Sequence, residues 1–326
     1  MKPLSAKRRS LSMIFLFFIF LAAVPFLLSY SAGYRFDLDD LAFVKTGGVF
    51  IHSDISETKI FLNGEFTESN GVILRNTLIK NLKSNEVYSI RVEKEGYLPW
   101  YKDLIVYPNL VTEAKILMIP TEIPFEAVNK FVVVQSTSTK ATSTKVLNPE
   151  FKDIEELFNP ATSTVATTSV ASKILNNTAQ NILPASTTKF IQSFVPDYLK
   201  KIGINNIEDK EQFKESNKIV SWLEQGNIHV MGAGDRQSSP FYFCDIRGCR
   251  DKILISLDTE IKYFDFFPGR DDAFVVMTEN HIFAVETDDR SRQNLQTIYE
   301  GKNPQFRLVG NTIFIKDGQE LYKAEI

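Results

Sequence analysis

Hydrophobic and polar positions change rhythm several times along this chain. From Leu11 to Tyr30 the sequence LSMIFLFFIFLAAVPFLLSY has no charge and no polar face. About 20 such residues in a helix, rising about 1.5 Å each, match the roughly 30 Å hydrocarbon core of a bilayer. From Gly47 to Pro120 apolar and polar residues alternate with period two, in short runs broken by turn residues. Those runs predict strands at 48–52, 59–62, 77–82, 87–93, 102–106 and 111–118, with a hairpin at Asn63-Gly64. Thr121 to Pro196 loses the alternation. From Asp197 to Ile326 a strand–turn–strand form repeats weakly in three stretches, 218–230, 272–285 and 312–324.

The apolar run sets the placement. Lys2, Lys7, Arg8 and Arg9 precede it, whereas the stretch from Arg35 to Asp40 beyond it is net acidic. Basic flanks stay cytoplasmic, so residues 1–10 form a cytoplasmic stub and the bulk lies outside. Membrane lipid is then the partner of residues 11–30, with Tyr30 and Tyr34 suited to the outer interface. A cleaved signal peptide is the rival reading, and Ser29 to Ala32 offers small residues for cleavage. Signal cores are usually about 7–15 residues, so an uncleaved anchor is favoured. Ser31 to Thr46 reads as a juxtamembrane connector.

The expected fold class is mainly β: a transmembrane helix, a small antiparallel β-sandwich at 47–120, and a β-propeller-like, incomplete domain at 197–326. Within the sandwich, Ser53, Lys59-Ile60-Phe61-Leu62-Asn63-Gly64, Val87 to Val92, Lys94-Glu95-Gly96-Tyr97 and Trp100 resemble a PEGA domain. Ile55, Glu57 and Thr58 stand where that motif usually has Pro, Gly and Ala. The resemblance implies an exported or surface β-module without established catalytic activity.

In the C-terminal region, Phe274 and Phe314 are 40 residues apart, a blade-like period. Phe267 to Asp272 resembles the Pro-Asp-Gly turns of exported TolB- and WD40-like propellers. Three blades do not close a ring, so an open edge would need covering by the strand around 131–134 or by a second chain. The combination resembles membrane-anchored PEGA-domain proteins of bacteria. Between the β regions, 121–196 is expected to be a Ser/Thr-rich linker or insertion. Its tracts at 136–144 and 161–169 are too polar to fold, with a strand within 125–134 and a short helix near 153–158. Those tracts invite O-glycosylation, and Asn176-Asn177-Thr178 is a formal sequon; a plain solvated linker is the favoured reading.

Composition adds exclusions. A net charge of −3 with no basic stripe argues against a nucleic-acid partner. The two cysteines, Cys244 and Cys249, flank a short turn between expected strands at 241–243 and 253–255. A disulfide is favoured in an exported chain, over two free thiols and over metal, which lacks a second ligand pair. Tyr97, Trp100 and Tyr101 form an aromatic cluster. Packing is its favoured role, and contact with cell-surface glycan is the alternative. The three histidines, His52, His229 and His281, sit singly in strand-like runs and read as structural.

The acidic groups at 37–40, 271–272 and 286–289 match no calcium-loop spacing and read as solvated turns. No nucleophile elbow, zinc-protease motif or phosphate loop occurs, so no catalytic, metal or cofactor residues are assigned. The expected function is a non-catalytic, membrane-anchored envelope or cell-surface scaffold whose partners are envelope proteins or glycan. An anchored glycan hydrolase and an accessory or sensor subunit of an envelope complex are the alternatives.

Overall fold

A computed structural model describes residues 6–37, 41–71, 73–135, 143–158, 211–216, 219–232 and 239–326. The protein is mainly β, with one N-terminal apolar helix and several small, largely antiparallel sheets. Helix α1 (Ala6–Ser31) contains the whole apolar run, with Pro25 inside it. By length and composition it could cross a membrane, and none of its apolar stretch is buried.

The chain divides into two compact units: Met1–Lys94 with Pro99–Ile116, and Glu95–Leu98 with Leu117–Ile326. The first unit holds β1 (Tyr34–Asp37), β2 (Ala42–His52), β3 (Lys59–Leu62), β4 (Glu65–Ser69), β5 (Thr77–Lys83), β6 (Val87–Glu93), β7 (Trp100–Ile105) and β8 (Val111–Lys115). One sheet is built on the long β2, which pairs antiparallel with β1 and β5 and parallel with β8. The other runs β4-β3-β6-β7. Strict alternation fills their inner faces: Tyr88, Ile90 and Val92 of β6, and Trp100, Lys102 and Leu104 of β7, are all buried. Burying each large apolar side chain stabilises by about 1.5–3 kcal/mol.

The Asn63-Gly64 turn joins β3 to β4 with both residues at positive φ, 51° and 87°. That is the primed geometry whose twist matches a hairpin. The stretch 31–46, expected as a connector, is itself partly in strands. It carries β1 and the start of β2, because Thr46 and Arg35 tie it to the helix end and to the sheet.

The second unit contains β9 (Glu126–Ala127), β10 (Phe131–Gln135), β11 (Ser143–Leu147) and α2 (Pro149–Leu157). After these come β12 (Glu211–Ser216), β13 (Ile219–Glu224), β14 (Asn227–Gly232), β15 (Lys252–Ile255), β16 (Tyr263–Phe266), β17 (Ala273–Met277), β18 (His281–Glu286) and β19 (Leu295–Glu300). The chain finishes with β20 (Pro304–Val309), β21 (Thr312–Asp317) and β22 (Glu320–Glu325). Three successive antiparallel sheets of four strands result: β12-β13-β14-β15, β16-β17-β18-β19 and β20-β21-β22-β9. Each expected two-strand stretch forms the centre of one sheet. No closed propeller or barrel forms among the described residues.

The third sheet is completed by β9, slightly ahead of the strand expected to cover it. Val128 extends this with an N–H bond to the Leu321 carbonyl, 2.8 Å. The strand at 131–135 pairs with β11 instead. Helix α2 starts at Pro149 with Asn148 as its cap, the Asn148 Oδ1 accepting the Glu150 N–H at 3.1 Å. It buries Phe151 and Ile154, one turn apart, in a cluster with Val128, Val309, Phe314 and Leu321. Most of the Ser/Thr tract at 136–144, all of the tract at 161–169 and the sequon at 176–178 lie outside the described residues.

Candidate functional site

The densest polar chemistry of the second unit lies in three turns: 267–272 between β16 and β17, 287–294 between β18 and β19, and the cysteine turn before β15. Two of these turns staple themselves with an arginine and an aspartate two residues apart. Arg270 donates Nε to Asp272 Oδ1 (2.9 Å) and Nη2 to Oδ2 (2.6 Å). Arg290 donates to Asp288 in the same fork, at 3.0 and 2.8 Å. Side-chain exposure is only 7% for both Arg270 and Asp272, so water screens this pair little. The third turn repeats the spacing at Arg247 and Asp245 (2.8 Å), but there the arginine is exposed.

Of the acidic groups expected to be solvated, 38–40 and the Asp37 side chain lie outside the described residues, and those at 271–272 and 286–289 are not free in solvent. Asp272, Glu286 and Asp288 are all buried. Glu286 Oε1 accepts both the backbone N–H (2.9 Å) and the side-chain amide (2.7 Å) of Asn294. Arginine supply explains the difference, since each buried carboxylate of the forked pairs has a guanidinium within its own turn.

Cys244 and Cys249 form a disulfide, with Cα atoms 4.0 Å apart. The residues before it, Phe241–Phe243, make a short 3-10 turn and not the expected strand. After Pro240 the chain curls so that Phe243 and Cys244 donate to the carbonyls of Pro240 and Phe241. Arg250 then ties the disulfide turn to the neighbouring one, donating Nη1 to Asp289 Oδ2 (2.9 Å) and Nη2 to the Tyr242 carbonyl (3.1 Å).

Tyr242 lies at the centre, buried, its hydroxyl donating to the Asp271 carbonyl at 3.3 Å. Burial first, then the carboxylates of Asp272, Asp271 and Asp288, push its pKa well above the usual phenol value. Chemically this is a rigid polar knot. Both oxygens of Asp272 and of Asp288 are taken by guanidinium donors, an arrangement that fixes turn shape. Sequence reasoning passed over Arg250, Arg270 and Arg290, although the two-residue spacing of arginine and aspartate was visible.

The other sequence candidates separate. Trp100 has no exposed surface and cannot stack on an external sugar, the alternative weighed against packing for this cluster. Tyr101 follows it in β7 and so faces the opposite way, 37% exposed. Tyr97 is half-buried and bridges Pro120 in the second unit. Each histidine meets a glutamate on an adjacent strand: His52 with Glu113 at 3.1 Å, His229 with Glu224 at 3.8 Å, and His281 with Glu300 at 3.9 Å. No group of three or more His, Cys, Asp or Glu is placed to hold a metal among the described residues.

No protein-family model matches the chain, and no curated protein matches it. Among solved structures, the chain is similar to a Bacteroides fragilis protein of unknown function, provisionally described as membrane-associated. The match covers 86% of this chain and 99% of the other at 8% identity, with a TM-score of 0.18.

Proposed function

We propose that the protein is a non-catalytic membrane-anchored scaffold. In this reading α1 crosses the bilayer with Lys7, Arg8 and Arg9 on the cytoplasmic side. The β units stand outside, presenting surface to envelope proteins or cell-surface glycan. The observation that carries it is the state of α1: Leu11, Phe15, Phe20 and Leu28 are each more than half exposed, a surface that lipid would cover.

Within this reading the first unit is a PEGA-like β-sandwich. Its support includes Glu57, which holds φ 58° at the motif position where glycine is usual. The second unit is an open, blade-like array, and the supply of β9 to the last sheet by the start of the unit supports that reading. The hydrolase alternative gains nothing from Asp272 and Asp288, whose oxygens are spent on arginine. An export test uses native residues. Cells are acid-quenched and alkylated with a thiol-reactive polymer. An exported chain shows no mass shift until Cys244 and Cys249 are reduced, and shifts before reduction would contradict export.

A further inference from the structure

The β1–β2 hairpin follows α1 almost at once, and its base is bonded to the helix end. The Gly33 N–H donates to the Tyr30 carbonyl at 3.2 Å, and Thr46 returns to the Gly33 carbonyl through its N–H and its hydroxyl, each at 3.1 Å. Arg35 clasps the junction. Its Nη1 donates to the carbonyls of Tyr30 (2.8 Å) and Tyr34 (3.0 Å), and its Nε donates to Asn81 Oδ1 (3.2 Å). The guanidinium carbon lies 3.7 Å from the centre of the Tyr30 ring. The base of the hairpin is thus tied to the last turn of the helix, through Gly33, Thr46 and the Arg35 side chain.

Register sorts the hairpin's side chains onto two faces. Arg35 pairs with Val44 on one, while Tyr34 with Lys45 and Phe36 with Phe43 share the other. On the first face the Arg35 head group reaches Tyr30 at the helix end and Asn81 of β5. On the other face Phe36 and Phe43 stand edge to face at 5.3 Å, 46% and 53% exposed, and Lys45 Nζ lies 5.5 Å from the Tyr34 ring centre. Leu41, just before β2, is 73% exposed. Aromatic rings with a lysine, beside the outer end of an apolar helix, are the composition of a membrane interface. There ring bodies sit among headgroups and a lysine stem reaches water. The linking sequence is acidic (Asp37, Asp39, Asp40), which favours a shallow seat over deep insertion.

We infer that the β1–β2 hairpin lies in the outer interface of the bilayer, with Phe36, Leu41 and Phe43 against the headgroup–acyl boundary. The first unit then rests directly on the lipid surface and is not held off it by a flexible stalk. This inference rests on the reading of α1 as a membrane anchor.

The test uses the full chain in phosphatidylcholine vesicles, with and without brominated acyl chains. Phe43→Trp and, separately, Phe36→Trp place a reporter on the hairpin; both positions are half exposed and tolerate the larger ring. Native Trp100 and Trp222 are buried and set the background. The expected result is emission shifted to shorter wavelength and quenched by bromolipid beyond the wild-type level in both variants. Emission that bromolipid does not quench further, in protein that resists carbonate extraction, would overturn the inference and leave the anchor standing. Blue-shifted emission without quenching would mean that protein covers the ring, and would also overturn it. Extraction of the protein by carbonate would remove anchor and inference together.

Discussion

Two adjacent residues of the first unit carry a local cost that substitution would relieve. Glu57 has φ 58°, a left-handed conformation that costs a residue with a side chain about 1–2 kcal/mol. Its side chain is exposed, so Glu57→Gly sacrifices no packing. Glycine also frees the unfolded chain, returning about 0.5–1 kcal/mol of the gain. The net expectation is stabilisation of about 0.5–1 kcal/mol. Thr58 is 1% exposed, and its Oγ1 finds no hydrogen-bond partner among the described residues. Its backbone is fully used, donating to Asn70 Oδ1 (2.6 Å) and accepting from the Asn70 N–H (3.1 Å). Thr58→Ala keeps those bonds and removes a stranded hydroxyl worth about 1–3 kcal/mol, against about 0.8 kcal/mol for the lost methyl.

Together the two changes should stabilise the first unit by about 1–2 kcal/mol. With a urea slope of about 1–3 kcal/mol/M, the midpoint rises by about 0.5–1 M. The assay is urea unfolding of the full chain in detergent, in a Trp222→Phe background, so that buried Trp100 reports this unit. A fall in midpoint for Glu57→Gly would refute the claim that residue 57 is strained. A fall of more than about 1 kcal/mol for Thr58→Ala would show that the hydroxyl is satisfied after all.

Other outcomes follow from the second unit. Asp272→Ala removes two charge-assisted bonds from the buried Arg270 guanidinium and should cost about 1.5–3 kcal/mol, and more than Arg270→Met with Asp272→Leu; a double-mutant cycle by urea unfolding separates the two. Tyr299 has its pKa raised to about 12, by burial first and then by Asp317, to which its hydroxyl donates at 3.3 Å. Because the folded value is the higher one, its stabilising contribution is complete below pH ~10 and is lost as pH rises toward 12. Phenolate absorbance should therefore show a step near pH 12 that Tyr299→Phe abolishes. Gly301→Ala would drive a Cβ into Asp317 Oδ2, and Asp317 cannot swing away without releasing the Lys302 and Asn303 N–H groups. A loss of about 1–3 kcal/mol in thermal unfolding is expected.

Local rules carried the sequence reading where local physics decides. Asn63-Gly64 announces its hairpin because few dipeptides accept positive φ twice. A repeated strand–turn–strand form located the central strand pairs of all three C-terminal sheets, whose first strands are buried at consecutive positions. The cysteine pair was read from its spacing across a short turn together with the expected export of the chain. What escaped depends on distant partners. The hairpin at 34–45 folds through Arg35 to Asn81, and the two-residue β9 exists only because β22, near the other end of the chain, offers an edge. Phe241–Phe243 resembles a strand by composition, yet it curls into a 3-10 turn after Pro240. The acidic turns looked solvated because a charge is assumed to seek water. Their arginine partners two residues away change that balance. Trp100 and Tyr101 looked like one patch, but neighbours on a strand face opposite sides.

The central claim is that α1 anchors a largely external protein. Protease treatment of intact cells carrying one epitope before residue 6 and another after Ile326 tests it most directly. The account predicts loss of the C-terminal epitope with survival of the N-terminal one, and a protected C-terminal epitope, with digestion only after the cells are opened, would contradict it.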